Sequence, residues 1–76
     1  MFNVRVLNPK HTLYEGKAWS VSLPGEHGTL EILDYHTPII SLLSQGEIVI
    51  DWKVYLPIEK GLAKFYNNEL VALVEE

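Results

Sequence analysis

The sequence predicts an all-β fold: a small β-sandwich of about nine or ten short strands, in a single domain over residues 1–76. Three observations support this prediction. Apolar residues alternate with polar ones along several short runs, as half-buried strands require. Glycines and prolines interrupt the chain at short intervals, which indicates frequent turns. A chain of 76 residues is also long enough for one hydrophobic core only.

Alternation of apolar side chains marks four of the strands. In chain order, the apolar sets are Phe2, Val4 and Val6; Trp19, Val21 and Leu23; Ile48 and Ile50; and Val54, Leu56 and Ile58. Since alternate side chains of a strand face the same side, these sets predict the buried face of the sandwich. The predicted core residues are Val4, Val6, Val21, Leu23, Ile32, Ile48, Ile50 and Leu73.

Two further segments are compatible with either a helix or a strand. Thr37 and Pro38 suit the N-cap and the first position of a helix that runs to Leu43. Residues 69–76 also contain good helix formers, but so short a helix is marginal on its own. We therefore predict strands for both segments. The pair Asn67 and Asn68 tolerates positive φ and predicts a tight hairpin turn before the last strand.

Composition and charge exclude several classes of protein. Hydrophobic residues make up 47% of the chain and charged residues 21%, which is ordinary for a globular domain. Ten acidic and six basic residues give a net charge of −4, and the basic residues are scattered singly, so we expect no nucleic-acid partner. No apolar run approaches the ~20 residues that span a bilayer, so we expect no direct membrane insertion. The chain has no cysteine for disulfides or thiolate metal sites.

Few residue patterns suggest chemistry. His36 follows Asp34 by two positions, and an Asp–His pair is part of a hydrolase triad, but no nucleophile elbow accompanies it. Glu26, His27 and His36 lack the spacing of known zinc motifs, and Glu26 would repel a phosphate from the turn in which it lies. The sequence therefore predicts no catalytic residue, no metal site and no cofactor.

The two tryptophans leave a different function open. Exposed aromatic rings stack on sugars, so Trp19 and Trp52 admit a carbohydrate-binding module, although aromatic residues of small β domains are more often core. Trp52 follows Asp51 at a predicted strand end, where partial exposure is expected. From the residues alone, we predict a small acidic β-sandwich that binds a protein.

Five segments in register resemble a known family. They are residues 13–16 (Leu-Tyr-Glu-Gly), 21–25 (Val-Ser-Leu-Pro-Gly), 28–33 (Gly-Thr-Leu-Glu-Ile-Leu), 36–40 (His-Thr-Pro-Ile-Ile) and 45–50 (Gln-Gly-Glu-Ile-Val-Ile). Their order and spacing are similar to those of the N-terminal β-sandwich of the ε subunit of F-type ATP synthases. The chain departs from that pattern at several positions. Glu31 replaces a glycine, Asp34 and Tyr35 replace Pro-Gly, and Trp19 replaces a polar residue.

The resemblance implies a function without catalysis. Members of this family belong to the central stalk, where they bind the γ subunit and lie on the ring of c subunits, so that proton- or sodium-driven rotation reaches the catalytic head. The implied γ interface comprises Asn8, His36 and Ser41. The implied c-ring interface comprises Glu26, His27, Gly28, Thr29, Leu30 and Glu31. The implied location is peripheral, on the cytoplasmic face of the bacterial inner membrane or its stromal or matrix-side equivalent, within the F1 sector.

The family pattern also implies a regulatory difference. Family members continue into a C-terminal helical hairpin that can inhibit ATP hydrolysis and in some cases binds ATP, whereas the present sequence stops at Glu76. The resemblance therefore leads us to expect a coupling subunit that neither binds nucleotide nor inhibits hydrolysis by inserting such a hairpin.

Overall fold

The computed structural model describes residues Met1–Glu76 and contains nine β-strands. They are β1 (Phe2–Leu7), β2 (Thr12–Ala18), β3 (Ser20–Gly25), β4 (Gly28–Leu33), β5 (Ile39–Leu43), β6 (Gly46–Ile50), β7 (Val54–Ile58), β8 (Lys60–Tyr66) and β9 (Glu69–Glu75). The predicted all-β sandwich is confirmed. The two segments that were also compatible with helices form strands β5 and β9, as predicted. The structure has no helix long and apolar enough to cross a membrane.

The strands form one hydrogen-bonded sheet that folds over itself into a flattened, nearly closed barrel. Their order is β2-β1-β9-β8-β5-β3-β6-β7, and β4 pairs with β3 outside this path. All neighbouring strands are antiparallel except β1 and β9, which are parallel. Since β1 and β9 start at the same end, we call that end of the barrel the amino end and the opposite one the carboxyl end.

Every strand contributes to the core, which contains 16 buried apolar residues. Seven of the predicted core residues are among them: Val4, Val6, Val21, Leu23, Ile32, Ile48 and Ile50. Phe2 and Phe65 meet edge to face at a centroid distance of 5.5 Å, which is a favourable geometry for two aromatic rings.

The inward orientation predicted for three residues is wrong. Leu73 is 53% exposed, because its partner in the β8–β9 ladder is the outward-facing Leu62. Trp19 is 60% exposed, because it lies in a bend between β2 and β3, where its backbone N–H donates to Asp51 Oδ1 at 2.7 Å. Val54 is also exposed, at the start of β7, which has a hydrogen-bonded neighbour on one side only.

Three turns at the amino end place non-glycine residues at positive φ. Asn67 and Asn68 have φ values of 52° and 56°, as a two-residue type I′ hairpin requires, so the predicted turn is confirmed. Asp51 and Trp52 form a similar turn at 52° and 57° between β6 and β7, and Trp52 is exposed as predicted. Tyr35 has a φ of 57° in the turn that joins β4 to β5.

Candidate interaction surfaces

Four leucines form a row across the outer face of β5, β8, β9 and β1. Leu42 pairs with Leu62, Leu62 pairs with Leu73, and Leu73 pairs with Leu7 in successive ladders. Leu42, Leu62 and Leu73 are exposed, and Leu7 is half-buried. We call these four residues the leucine row. Because directly opposed side chains in a ladder are neighbours, the row is a continuous apolar ridge perpendicular to the strands.

A groove of about 500 Å³ follows the leucine row. Leu43 and Val74 contribute to its apolar lining. The polar residues along its rim are Asn8, Glu26, Lys60 and Glu75. Contiguous apolar surface rimmed by polar residues marks interaction sites in soluble proteins, so this groove is the strongest candidate site of the molecule.

Two residues that the family resemblance assigns to different interfaces lie at opposite ends of the groove. Asn8 lies beyond Leu7, where its Oδ1 accepts hydrogen bonds from the backbone N–H groups of Lys10 and His11 at 2.7 and 2.8 Å. Glu26 lies at the other end, and its backbone N–H donates to the Leu42 carbonyl at 3.0 Å. One residue of the predicted γ set and one of the predicted c-ring set therefore line the same groove.

The six residues predicted for the c-ring form the hairpin of β3 and β4. Glu26, His27, Gly28 and Thr29 are exposed at its tip, where Gly28 adopts a φ of 129° that suits glycine. Leu30 instead packs against the core. Glu31 lies farther along β4, where its carboxylate accepts a hydrogen bond from Ser20 Oγ at 3.2 Å. The tip presents one exposed carboxylate, and Glu31 is separate from it.

Asn8, His36 and Ser41, predicted for the γ interface, do not form one surface. His36 lies at the amino end, where its ring and that of Phe65 are nearly perpendicular at a centroid distance of 6.0 Å. Ser41 is half-buried opposite the buried Ala63, so it lies on the inward side of β5. The exposed neighbours of Ser41 in β5 are Ile40 and Leu42.

Sequence reasoning missed the leucine row, although a signal was present. Strands β5 and β9 are apolar at both odd and even positions, as in Ile39-Ile40 and Leu70-Val71. Apolar residues on both faces are typical of strands that are buried on both sides, so this pattern alone does not indicate an exposed apolar face. Here one face is buried and the other face carries the candidate interaction surface.

A second exposed apolar surface lies at the amino end. Trp19 and Trp52 are 60% and 65% exposed, and both lie next to Asp51, the carboxylate that accepts from the Trp19 N–H. Leu33, which pairs with Ser20, adds to this surface. The two indole rings stack neither on each other nor on another ring.

A polar network closes the amino end. The Met1 ammonium group donates to Asp34 Oδ2 at 2.8 Å, and Asn68 Nδ2 donates to Asp34 Oδ1 at 3.3 Å. The bond from the ammonium group is the main reason that the pKa of Asp34 lies below its usual value; desolvation opposes the shift, and Asn68 adds to it. Asn68 Oδ1 in turn accepts from the Tyr35 backbone N–H at 2.7 Å.

Comparison with known proteins gives a consistent result. The family model "ATP synthase, Delta/Epsilon chain, beta-sandwich domain" matches residues 1–76. The ATP synthase epsilon chain of Sulfurimonas denitrificans is 42% identical over 76 residues, which are 95% of this chain and 58% of that protein. The chloroplastic epsilon chain of Porphyra purpurea is 34% identical over 76 residues, covering 95% of this chain and 56% of the relative. The chain thus spans about half the length of these curated relatives.

Solved structures agree on the fold. A chain of the Tetrahymena thermophila mitochondrial ATP synthase central stalk and c-ring superposes with a TM-score of 0.80 at 14% identity, covering 97% of this chain and 63% of the other. A chain from the Euglena gracilis mitochondrial ATP synthase, OSCP/F1/c-ring, gives 0.82 at 11% identity, covering 96% and 49%. At these sequence identities, the superpositions show a shared fold and nothing further.

Proposed function

The chain belongs to the ATP synthase delta/epsilon β-sandwich family, and from this premise we propose that it couples rotation of the c-ring to the γ subunit and the catalytic head. In this role it is a non-catalytic rotor subunit in proton- or sodium-driven ATP synthesis. The family assignment favours this function over the carbohydrate-binding alternative. The proposed location is peripheral, within the F1 sector on the cytoplasmic face of the bacterial inner membrane or the stromal or matrix-side equivalent.

The observation that carries the proposal is the leucine row with its groove. A rotor adaptor must be held firmly by the shaft it turns with, and burial of apolar surface is the dominant favourable term in such association. Stable protein interfaces bury ~1,200–2,000 Å² in total. The outer face of β5, β8, β9 and β1 offers a continuous apolar surface for this purpose. We therefore assign the γ contact to this face, with Asn8 at its margin, rather than to Ser41.

The c-ring contact is assigned to the tip of the β3–β4 hairpin. Glu26, His27, Gly28 and Thr29 project there without burial, so a polar loop of a neighbouring subunit can reach them. Glu26 supplies the negative charge of the hairpin tip. Contacts between exposed charges weaken with salt, since the screening length is ~8 Å at physiological ionic strength.

The γ assignment is tested by mixing the chain with the γ subunit from the same source. We expect a stable complex by size-exclusion chromatography and a saturable binding curve by calorimetry. Absence of any complex at micromolar concentrations of both proteins contradicts the proposed function.

The c-ring assignment is tested in the assembled enzyme. Glu26→Gln should reduce coupled ATP synthesis in membrane vesicles and make it less sensitive to salt. Glu31→Gln is the matched control, because Glu31 is held by Ser20 away from the hairpin tip. Equal effects of the two substitutions contradict the assignment to the tip.

The proposal also includes an electrostatic expectation about nucleotides. The chain has a net charge of −4, and the rim of its largest groove carries Glu26 and Glu75, with Lys60 close to Glu75 at 3.7 Å. A triphosphate is therefore repelled from the groove. Titration of ATP into the isolated chain should give no heat of binding, and saturable heat contradicts this expectation.

A further inference from the structure

The strands beneath the leucine row restrict what can bind there. Strands β1, β9 and β8 each pair with a neighbouring strand along both sides, whereas β5 pairs with β8 along its whole length and with β3 only at Gly25 and Leu43. The strands of Leu7, Leu73 and Leu62 therefore offer no free edge for an added strand, and the Leu42 carbonyl already accepts a hydrogen bond from the Glu26 N–H. An occupant of the groove must bind through side chains, across the strands rather than beside them.

The spacing of the row matches a helix. Neighbouring strands lie ~4.8 Å apart, so four leucines on four adjacent strands form a ridge roughly 14 Å long. An α-helix places side chains of one face about 5.4 Å apart per turn, and ~10 residues cover roughly 15 Å. A helix that crosses the strands thus sets one apolar side chain near each leucine over about three turns.

The charge of the rim indicates the polar side of such a helix. Glu26 lies at the β3–β4 end of the groove and has no cationic partner. In the middle of the rim, the charge of Lys60 is offset by Glu75 at 3.7 Å. At the other end, the Glu76 carboxylate accepts a hydrogen bond from Asn8. The rim is therefore acidic overall and favours a basic occupant.

We propose that the leucine row seats an amphipathic helix of the γ subunit that crosses β5, β8, β9 and β1. The helix carries apolar residues at i, i+3 or i+4, i+7, and i+10 or i+11, one over each leucine, and a Lys or Arg above Glu26. This inference rests on the proposed function and specifies the partner element at the same site. It also places Glu26 at the boundary between the groove that holds the helix and the hairpin tip that faces the c-ring.

A matched pair of leucine variants tests the location. Leu73→Ser removes an exposed leucine of the row, and Leu33→Ser removes a leucine of similar exposure at the amino end, 53% against 48%. Both are surface changes, so both variants should fold, and circular dichroism verifies this. We expect Leu73→Ser to weaken binding of the isolated γ subunit at least tenfold, whereas Leu33→Ser changes it less than twofold.

A pair of charge variants tests the basic side. Because isolated γ contains no c-ring, any effect of Glu26→Gln on its affinity reports the groove rather than the hairpin tip. We expect Glu26→Gln to weaken γ binding three- to tenfold at low salt and less at high salt. Glu47→Gln is the control, since Glu47 is an exposed carboxylate on β6 outside the groove.

Cross-linking tests the helix itself. The chain has no cysteine, so a single cysteine at 42, 62 or 73 carries a photoreactive group at one known site. The three positions should cross-link to one helix of γ, at sites three to four residues apart and in the order of the strands. Cross-links to an extended segment, to scattered sites, or to a second copy of this chain overturn the proposal.

The binding experiments separate failure of this proposal from failure of the proposed function. If the wild-type chain binds γ but both leucine variants bind equally well, the helix site is wrong while the proposed function stands. If the wild-type chain does not bind γ, the proposed function itself fails.

Discussion

At the scale of single residues, Tyr35, like Trp52, has a backbone conformation that is unfavourable for its residue type. Its φ of 57° is left-handed, and its side chain is 84% exposed, so packing does not compensate for the strain. The family pattern has Pro-Gly where this chain has Asp34 and Tyr35. Glycine adopts such a φ without steric cost, which explains in physical terms why a glycine suits this position.

We expect Tyr35→Gly to stabilise the fold by about 0.5–1 kcal/mol. The left-handed conformation costs an ordinary residue roughly 1–2 kcal/mol, and the extra flexibility of glycine in the unfolded chain returns part of this. The backbone N–H that Tyr35 donates to Asn68 is retained in the variant. Urea denaturation measures the change. Tyr66→Gly, within strand β8, should destabilise the fold, and a destabilised Tyr35→Gly variant contradicts the expectation.

Asp34 gives the fold a dependence on acidity. The hydrogen bond from the Met1 ammonium group lowers its folded-state pKa below the unfolded value of ~3.9. A carboxyl group with a depressed pKa stabilises the native state above the unfolded pKa, and this contribution is lost as the pH falls through the folded pKa. Asp34→Asn should therefore be less stable than wild type at pH 6, and the difference should shrink below about pH 4. A difference that is the same at pH 6 and pH 2.5 contradicts this cause.

At the scale of elements, the β8–β9 turn separates the effect of backbone from that of side chain. Asn67 and Asn68 have nearly the same φ, but only the Asn68 side chain is bonded, to Asp34 and to the Tyr35 N–H. Asn67→Gly should be neutral or stabilising, because glycine accepts the positive φ. Asn68→Gly should cost about 1–2 kcal/mol through its lost hydrogen bonds. Thermal denaturation of the two variants checks this, and equal stabilities contradict the role of the Asn68 side chain.

Strand patterns predicted some elements fully and others only in part. Strand β1 alternates strictly between apolar and polar residues from Phe2 to Val6, so this alternation assigned Val4 and Val6 to the core correctly. Strand β9 is apolar on both sides, and period two cannot decide whether Leu73 or its neighbours face inward. The pairing with β8 decides it, because Ala63 and Ala72 are opposed in the core and Leu62 and Leu73 are opposed outside. That pairing joins residues that are distant in the sequence, so a local sequence pattern does not reveal it.

The same limit applies to the candidate site. The family resemblance selected Asn8 and Glu26 as residues of separate interfaces, but only the order of the strands shows that they lie at the two ends of one groove. It also selected Ser41, whose inward direction follows from its register with Ala63. The alternation with Val21 and Leu23 predicted that Trp19 faces inward. Trp19 instead lies in a bend, where the hydrogen bond to the distant Asp51 holds its backbone, and its side chain is exposed.

At the scale of the whole molecule, small size links stability to partner binding. A domain of 76 residues buries a modest fraction of its unfolded surface, so a single cavity is a large loss relative to its total stability. Ile48 is fully buried in β6, and Ile48→Ala should cost about 2–5 kcal/mol. Leu33→Ala is the control, because its exposed side chain leaves no core cavity and should change the stability far less.

The γ subunit should restore much of the stability that Ile48→Ala removes. A partner that binds only the native state stabilises it by about 2.7 kcal/mol at one hundred times its dissociation constant. For a domain of this size, each ~1 kcal/mol shifts Tm by about 4–8 °C, so saturating γ should raise Tm by about 10–20 °C. Scanning calorimetry of the variant, with and without γ, measures this shift in Tm. Because Ile48 is fully buried in the core, its substitution should leave the outer face of the barrel intact. A complex that forms without raising Tm would mean that γ does not bind the native sandwich, which contradicts an interface built on the folded outer face.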